Sequence, residues 1–313
     1  MSISPSHDGP GGLRAFLLAA MIAAAAGSMS PLALAADQKT FPTPEAAAKA
    51  LVDAARADDK SEILAILGSD AKDIVSSGDE VQDKAAAAQF AAKAQQMMRL
   101  DQTADGVEVM SIGADDWPFP IPIVKKADAW HFDTAAGRQE ILNRRVGANE
   151  LATIEVCRAY VEAQRAYAAK DREGNGVIKY AQRFLSSPGK HDGLYWPVAE
   201  GEEASPLGPL VADAVAEGYG GKHGVPYHGY FYRILTAQGR HAPGGAYGYV
   251  INGNMVAGFA LVAYPAQYGV SGVMTFIVNQ AGVVYQKDLG LKTAELAKAM
   301  QLYDPDPSWQ RVE

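Results

Sequence analysis

Hydrophobic and polar positions follow two rhythms along the chain. Before residue 100 the pattern predicts helices. Thr43-Pro44-Glu45 reads as a helix start, since Thr caps, Pro suits the first helical position and Glu favours the positive helix end. Ala46 to Ala57 continues that helix around Leu51 and Val52, and Asp58-Asp59 breaks it. Glu62 to Leu67 predicts a second short helix stopped by Gly68, and Ala-rich Asp83 to Leu100 a third, with Phe90, Met97 and Leu100 for packing. The rhythm then becomes two. Trp117, Phe119, Ile121 and Ile123 alternate with Pro118, Pro120 and Pro122, an extended segment whose prolines lack backbone donors and so belong at a sheet edge or bulge. Lys125 to Asp128 turns, Ala129 to Asp133 returns, and Arg138 to Arg145 predicts a closing helix. The aromatics of this hairpin read either as a ligand pocket or as ordinary core.

A second part follows. Asn149 reads as the cap of a helix from Glu150 to about Lys170, with Leu151, Ile154, Cys157, Val161 and Ala168 at helical spacing and Gly174-Asn175-Gly176 ending it. Lys190 to Gly224 is irregular, with a short helix at Leu207 to Glu217. Beyond Tyr227 the period is two again. Tyr230, Tyr232 and Ile234 share one face and Phe231, Arg233 and Leu235 the other. Tyr247 to Ile251 predicts a strand, Asn252-Gly253 a tight hairpin turn, and Met255 to Tyr264 the next strand. Val273 to Val278 and Val283 to Lys287 flank the turn Asn279 to Gly282; the former is apolar on both faces and reads as a central strand covered by the Glu150–Lys170 helix. The expected class is α+β: an N-terminal helical part with a curved hairpin over residues 41–145, and a long helix on an antiparallel sheet over residues 147–313. The first part resembles the nuclear-transport-factor-like cone fold, whose cavity often serves as a binding pocket.

The N-terminus changes the picture of where the protein works. Ala15 to Ala26 is an apolar run of twelve behind Arg14, too short for a comfortable membrane span, and Ala33-Leu34-Ala35 is a cleavage pattern. Residues 1–36 therefore read as a signal peptide, and the body as a periplasmic or secreted protein without a membrane partner. A net charge of −8 disfavours nucleic acid. A single cysteine, Cys157, allows no internal disulfide and reads as a buried apolar residue.

Two blocks carry a family resemblance. "WPFPIPIVKKADAWHFDTAAGRQEILNRRVGANE" and "GGAYGYVINGNMVAGFALVAYPAQYGVSGVMTFIVNQAGVVYQKDLG", with "YHGYFYRILTAQG" before the latter, resemble exported bacterial proteins of the domain-of-unknown-function family DUF2950. The resemblance implies export and the two-part arrangement, and no activity. "ELATIEVCRAYVEAQRAYAA" followed by "TFIVNQAGVVYQKDLG" is also similar to the globular heads of type IV pilins and pseudopilins, although no long apolar helix precedes Glu150 as it does in pilins.

Candidate chemistry is sparse. His-Glu-x-x-His and Cys-x-x-Cys are absent. "GYGGKH" at Gly218 to His223 has His where a phosphate loop needs Ser or Thr, and Pro188-Gly189 makes "SPGK" a turn rather than a Ser-x-x-Lys helix. What remains is a polar-aromatic group, His223, Tyr227, His228, Tyr230, Tyr232, Arg233 and His241. It could form a groove with Tyr faces for stacking and Arg233 for an anion, or a metal site on His223, His228 and His241, or be core and loop residues. The expected function is a non-enzymatic envelope binding or interaction protein for an unknown protein or small ligand, without a cofactor. The alternatives are an envelope enzyme using the three histidines, possible metal included, and a pseudopilin-like structural subunit.

Overall fold

Thr43 accepts a hydrogen bond from the Ala46 N–H at 3.2 Å and Pro44 follows it, so α1 (Pro44–Arg56) begins where its capping residues lie. Asp59 caps α2 (Lys60–Leu67) through the Glu62 N–H at 3.0 Å. A short 3-10 turn (Ser69–Ala71) leads into α3 (Lys72–Val75), which sequence periodicity does not reveal. Asp79 caps α4 (Glu80–Gln96). This computed structural model describes residues 38–198, 201–219 and 224–312; the leader-like residues 1–36 and His223 lie outside them.

The helix expected to reach Leu100 stops at Gln96. Met97 turns extended, and β1 (Met98–Ala104) pairs antiparallel with β2 (Val107–Ile112). The alanines drive helix formation only as far as their own run; Leu100 sits opposite Met110, whose side chain is fully buried, and the sheet decides its conformation. The proline-bearing segment is also divided. Only β3 (Trp117–Pro118) is a strand, and it pairs with β2 alone. β4 (Ile123–Lys126) lies between β2 and β5 (Ala129–Phe132), so the ladder runs β1-β2-β4-β5 with the prolines kept out of its interior. One apolar cluster, including Leu51, Ile66, Met110, Ile121, Ile123 and Phe132, joins these helices to this sheet.

The largest departure is α5 (Thr134–Tyr167), one continuous helix of 34 residues where the sequence reads as two. Asn149 does not cap anything. It is buried inside the helix, where its side chain exchanges hydrogen bonds with Gln82 and donates to Ser271 O at 2.8 Å. Those distant partners satisfy an amide that would otherwise favour a helix end. Glu150, one residue on, accepts from the Val273 and Met274 N–H groups at 2.9 Å each.

After α6 (Gly208–Ala216) come β6 (Tyr230–Leu235), β7 (Ala237–Gln238), β8 (Tyr247–Gly248), β9 (Val250–Ile251), β10 (Asn254–Met255), β11 (Ala260–Pro265), β12 (Met274–Asn279) and β13 (Tyr285–Asp288), then α7 (Thr293–Ala299) and β14 (Gln310–Arg311). The sheet order is β14-β13-β12-β11-β6, which makes β12 central as its two apolar faces require. The expected strand Tyr247 to Ile251 is two short pieces around fully buried Tyr249. Asn252 and Gly253 both have positive φ, 48° and 79°, and turn β9 into β10. The C-terminal half of α5 covers one sheet face, with Tyr160 and Val161 in its core cluster; α7 packs on β11.

Cys157 is fully buried in that cluster, and desolvation pushes its thiol up to about 12. The native protein is therefore expected to leave a thiol reagent unreacted at pH 8 over hours and to consume one equivalent at once in denaturant. Rapid native labelling would show that α5 opens readily from the sheet.

Candidate functional site

The polar-aromatic group expected to form a groove is distributed around β6. Tyr227 and His228 precede the strand, Tyr227 held to Tyr230 by reciprocal backbone bonds of 2.9 and 3.1 Å. Their rings lie 4.1 Å apart, Tyr219 stands edge-on to Tyr227 at 4.9 Å, and Glu217 approaches His228 Nε2 at 3.4 Å. Burial pushes the Tyr227 phenol up to about 12. Tyr230 is fully buried and donates to Met274 O at 2.9 Å; Tyr232 donates to Thr153 on α5 at 3.3 Å. Desolvation raises both phenols, so they remain neutral donors.

Arg233 points to the other sheet face. Its Nη2 donates to Ala297 O at 2.7 Å and to Met300 O, at the C-terminal end of α7. That engages one nitrogen of the group expected to meet an anionic ligand, while its buried Nε has no hydrogen-bond partner among the described residues. His241 lies beyond β7, where its Nδ1 donates to Asp304 at 2.9 Å and its Nε2 accepts from Arg240 at 3.2 Å. His228 and His241 thus flank opposite ends of β6, a six-residue strand about 20 Å long. Among the described residues, no three His, Cys, Asp or Glu side chains stand where they could share a metal ion.

A cavity of about 240 Å³ lies elsewhere, in the N-terminal part, among α1, α2, α3, α4, the β3 region and α5. Its walls follow from the helical faces and the proline segment. Leu51 of α1 and Ile63 of α2 turn their buried sides to it, and α4 contributes Phe90. Phe119 is held by its N–H to Met110 O at 2.7 Å, and its ring meets Phe90 at 5.2 Å and Trp117 at 6.2 Å. After Trp117, Pro118 and Phe119, which run beside β2, the chain leaves the sheet until β4 begins at Ile123. Of the aromatic segment, Phe119 is buried in the core and also lines the cavity, and half-buried Trp117 lines it together with Phe90 of α4.

The cavity lining also carries charge. Lys60, Arg144 and Arg145 stand against Asp58 and Asp83, a cationic excess of one in a chain of net charge −8. Arg144 lies 5.2 Å from the Trp117 ring centroid and bonds Glu140 through Nε at 2.7 Å. Arg145 donates to Asp73 O at 2.7 Å and to Ile74 O. Desolvation lowers its pKa and nearby Asp83 opposes that shift. Both Asp83 oxygens accept from the Ser77 N–H, at 3.2 and 3.0 Å. Sequence reasoning passed over Arg144 and Arg145, although they are the one Arg-Arg dipeptide in the chain.

A family model described as "Protein of unknown function (DUF2950)" matches residues 38–312. The chain belongs to this family. No curated protein and no solved structure matches it. Membership in DUF2950 supplies no reaction, and what chemistry this DUF2950 protein offers lies in its own cavity and side chains.

Proposed function

We propose that this DUF2950 protein is an exported, non-enzymatic binding protein of the cell envelope, and that its cavity among α1–α5 takes a small apolar ligand. The cavity carries the reading: about 240 Å³ of largely apolar, aromatic-walled space whose lining includes a few charged groups. At about 30 Å³ for each water-sized group, that space suits roughly eight such groups, an alkyl chain or a fused ring pair. The leader-like N-terminus supports export. A pilin-head-like interaction role for the C-terminal half has only the layout of α5 on β11 and β12 in its favour, so the cavity is the stronger ground.

Titration with octan-1-ol, followed calorimetrically, tests the binding reading. Saturable one-site binding is expected, and Ala87→Phe, which fills the cavity from α4, should weaken it at least tenfold while the melting temperature holds or rises. No saturable binding, or equal binding to the filled variant, overturns it. Recovery of the chain in the cytoplasmic fraction alone would remove export from the proposal.

A further inference from the structure

We infer that the ligand of the α1–α5 cavity carries a single anionic group, a carboxylate on an apolar body, and that Arg145, assisted by Arg144, receives it. This rests on the cavity being a binding site and goes further by naming the chemical class.

The arginines of α5 differ in where they place their charge. Arg138, Arg144, Arg158 and Arg165 each have a carboxylate within bonding range: Asp73, Glu140, Glu155 and Glu162. Arg145 has none within 4 Å among the described residues, although it is half-buried and lines the cavity. Its two protein acceptors are neutral carbonyls, Asp73 O and Ile74 O. A guanidinium has five N–H donors in a planar fork, so three are left for a partner. The nearby acid, Asp83, is already engaged by the Ser77 N–H. Charges withdrawn from water are ordinarily paired with an opposite charge, and a carboxylate matches the fork in two parallel bonds.

Arg144 adds a second cation. Its guanidinium lies over the Trp117 ring, it lines the same cavity from an exposed position, and its bond to Glu140 is made through Nε. The remaining cation, Lys60, lines the same cavity, while Asp58 has Lys84 at 3.8 Å outside it. An anionic head at the two arginines leaves an apolar body of about eight groups to the rest of the lining, which includes Phe90, Phe119 and Leu51. A cationic head meets a lining with one more cation than anions, and a neutral hydroxyl accepts from the fork without a charge to match it.

The test compares octanoate, octan-1-ol and octylamine on the full chain by calorimetric titration at one ionic strength. Octanoate should bind at least tenfold more tightly than octanol, and octylamine most weakly. Arg145→Lys keeps the charge but loses the fork; it should reduce the octanoate preference at least threefold while octanol affinity stays within twofold. Arg144→Gln, at an exposed position, should reduce that preference with an unchanged melting temperature, so the inference stays testable should Arg145 variants fold poorly. Octanol binding as tightly as octanoate overturns the anion inference and leaves the cavity reading standing. Octanoate and octanol affinities that fall together in both variants also overturn it. Failure of all three probes to bind removes the cavity reading and this inference with it.

Discussion

Asp79→Ala is expected to destabilise the fold by about 3–5 kcal/mol, the largest effect of any single polar substitution considered for this protein. Asp79 is completely buried. Its Oδ1 accepts from the Gln82 N–H at 3.1 Å and caps α4. Its Oδ2 accepts from the Tyr219 hydroxyl at 2.8 Å and from the Gly229 N–H at 3.0 Å. Hydrogen bonds to a charged acceptor are worth about 1.5–3 kcal/mol each, and a lost cap about 1 kcal/mol. Alanine removes all three and leaves a buried hydroxyl and a buried amide without their acceptor. Part of the loss returns because the carboxylate no longer has to be desolvated, which sets the net value below the sum. Thermal denaturation should show a midpoint lower by about 5–10 °C. Tyr219→Phe, which removes one bond, should cost about 1–2 kcal/mol. A shift of less than a degree for Asp79→Ala would mean that this carboxylate does not join α4 to the segment leading into β6.

The second large effect is a contrast of sign within one helix. Gly137 and Gly147 both lie inside α5, and helix propensity alone says that alanine stabilises either position by about 1 kcal/mol. Gly147 should obey. A Cβ there meets nothing within 4 Å, so Gly147→Ala should stabilise by about 0.5–1 kcal/mol. Gly137 should not. A Cβ there would stand 2.4 Å from Pro120 O, 2.5 Å from Pro120 C and 2.6 Å from Ile121 Cα. These are backbone atoms of the segment that carries Phe119 and Ile121 into the core, and they cannot rotate away. Gly137→Ala should therefore destabilise by about 2–4 kcal/mol, net of its propensity gain. Urea titration of the two variants beside wild type decides the matter, with midpoints expected to move in opposite directions. If Gly137→Ala is neutral or stabilising, α5 does not approach residues 120–121 as closely as this geometry requires.

Local signals made much of the architecture legible. Thr43-Pro44-Glu45 names the start of α1 because a cap, a fixed φ and a favourable charge act on neighbouring residues. Asn252-Gly253 names the β9–β10 turn because only such residues accept two positive φ values cheaply. The alternation in β6 separates Tyr232, which reaches α5, from Arg233, which reaches α7. Two signals were present and outweighed. Asp79 with Gln82 three residues on has capping-box spacing, yet the alanine run drew the expected start to Asp83. Asp105-Gly106 marks the turn between β1 and β2, yet the same run carried the expected helix to Leu100.

What the sequence by itself determined is the set of elements whose causes are contiguous: caps, turns, and apolar faces of period two or near four. Only the tertiary structure decided that α5 is continuous, since Asn149 is satisfied by Gln82, 67 residues away, and by Ser271, 122 residues away. It also decided the pocket, because its walls come from four helices, the β3 segment and α5's own Ile141, Arg144 and Arg145, which meet only after burial. The physical reason is the same in both cases: the free energy of a buried polar or apolar group depends on the partners it finds in space, and no pattern in neighbouring residues records who those partners are.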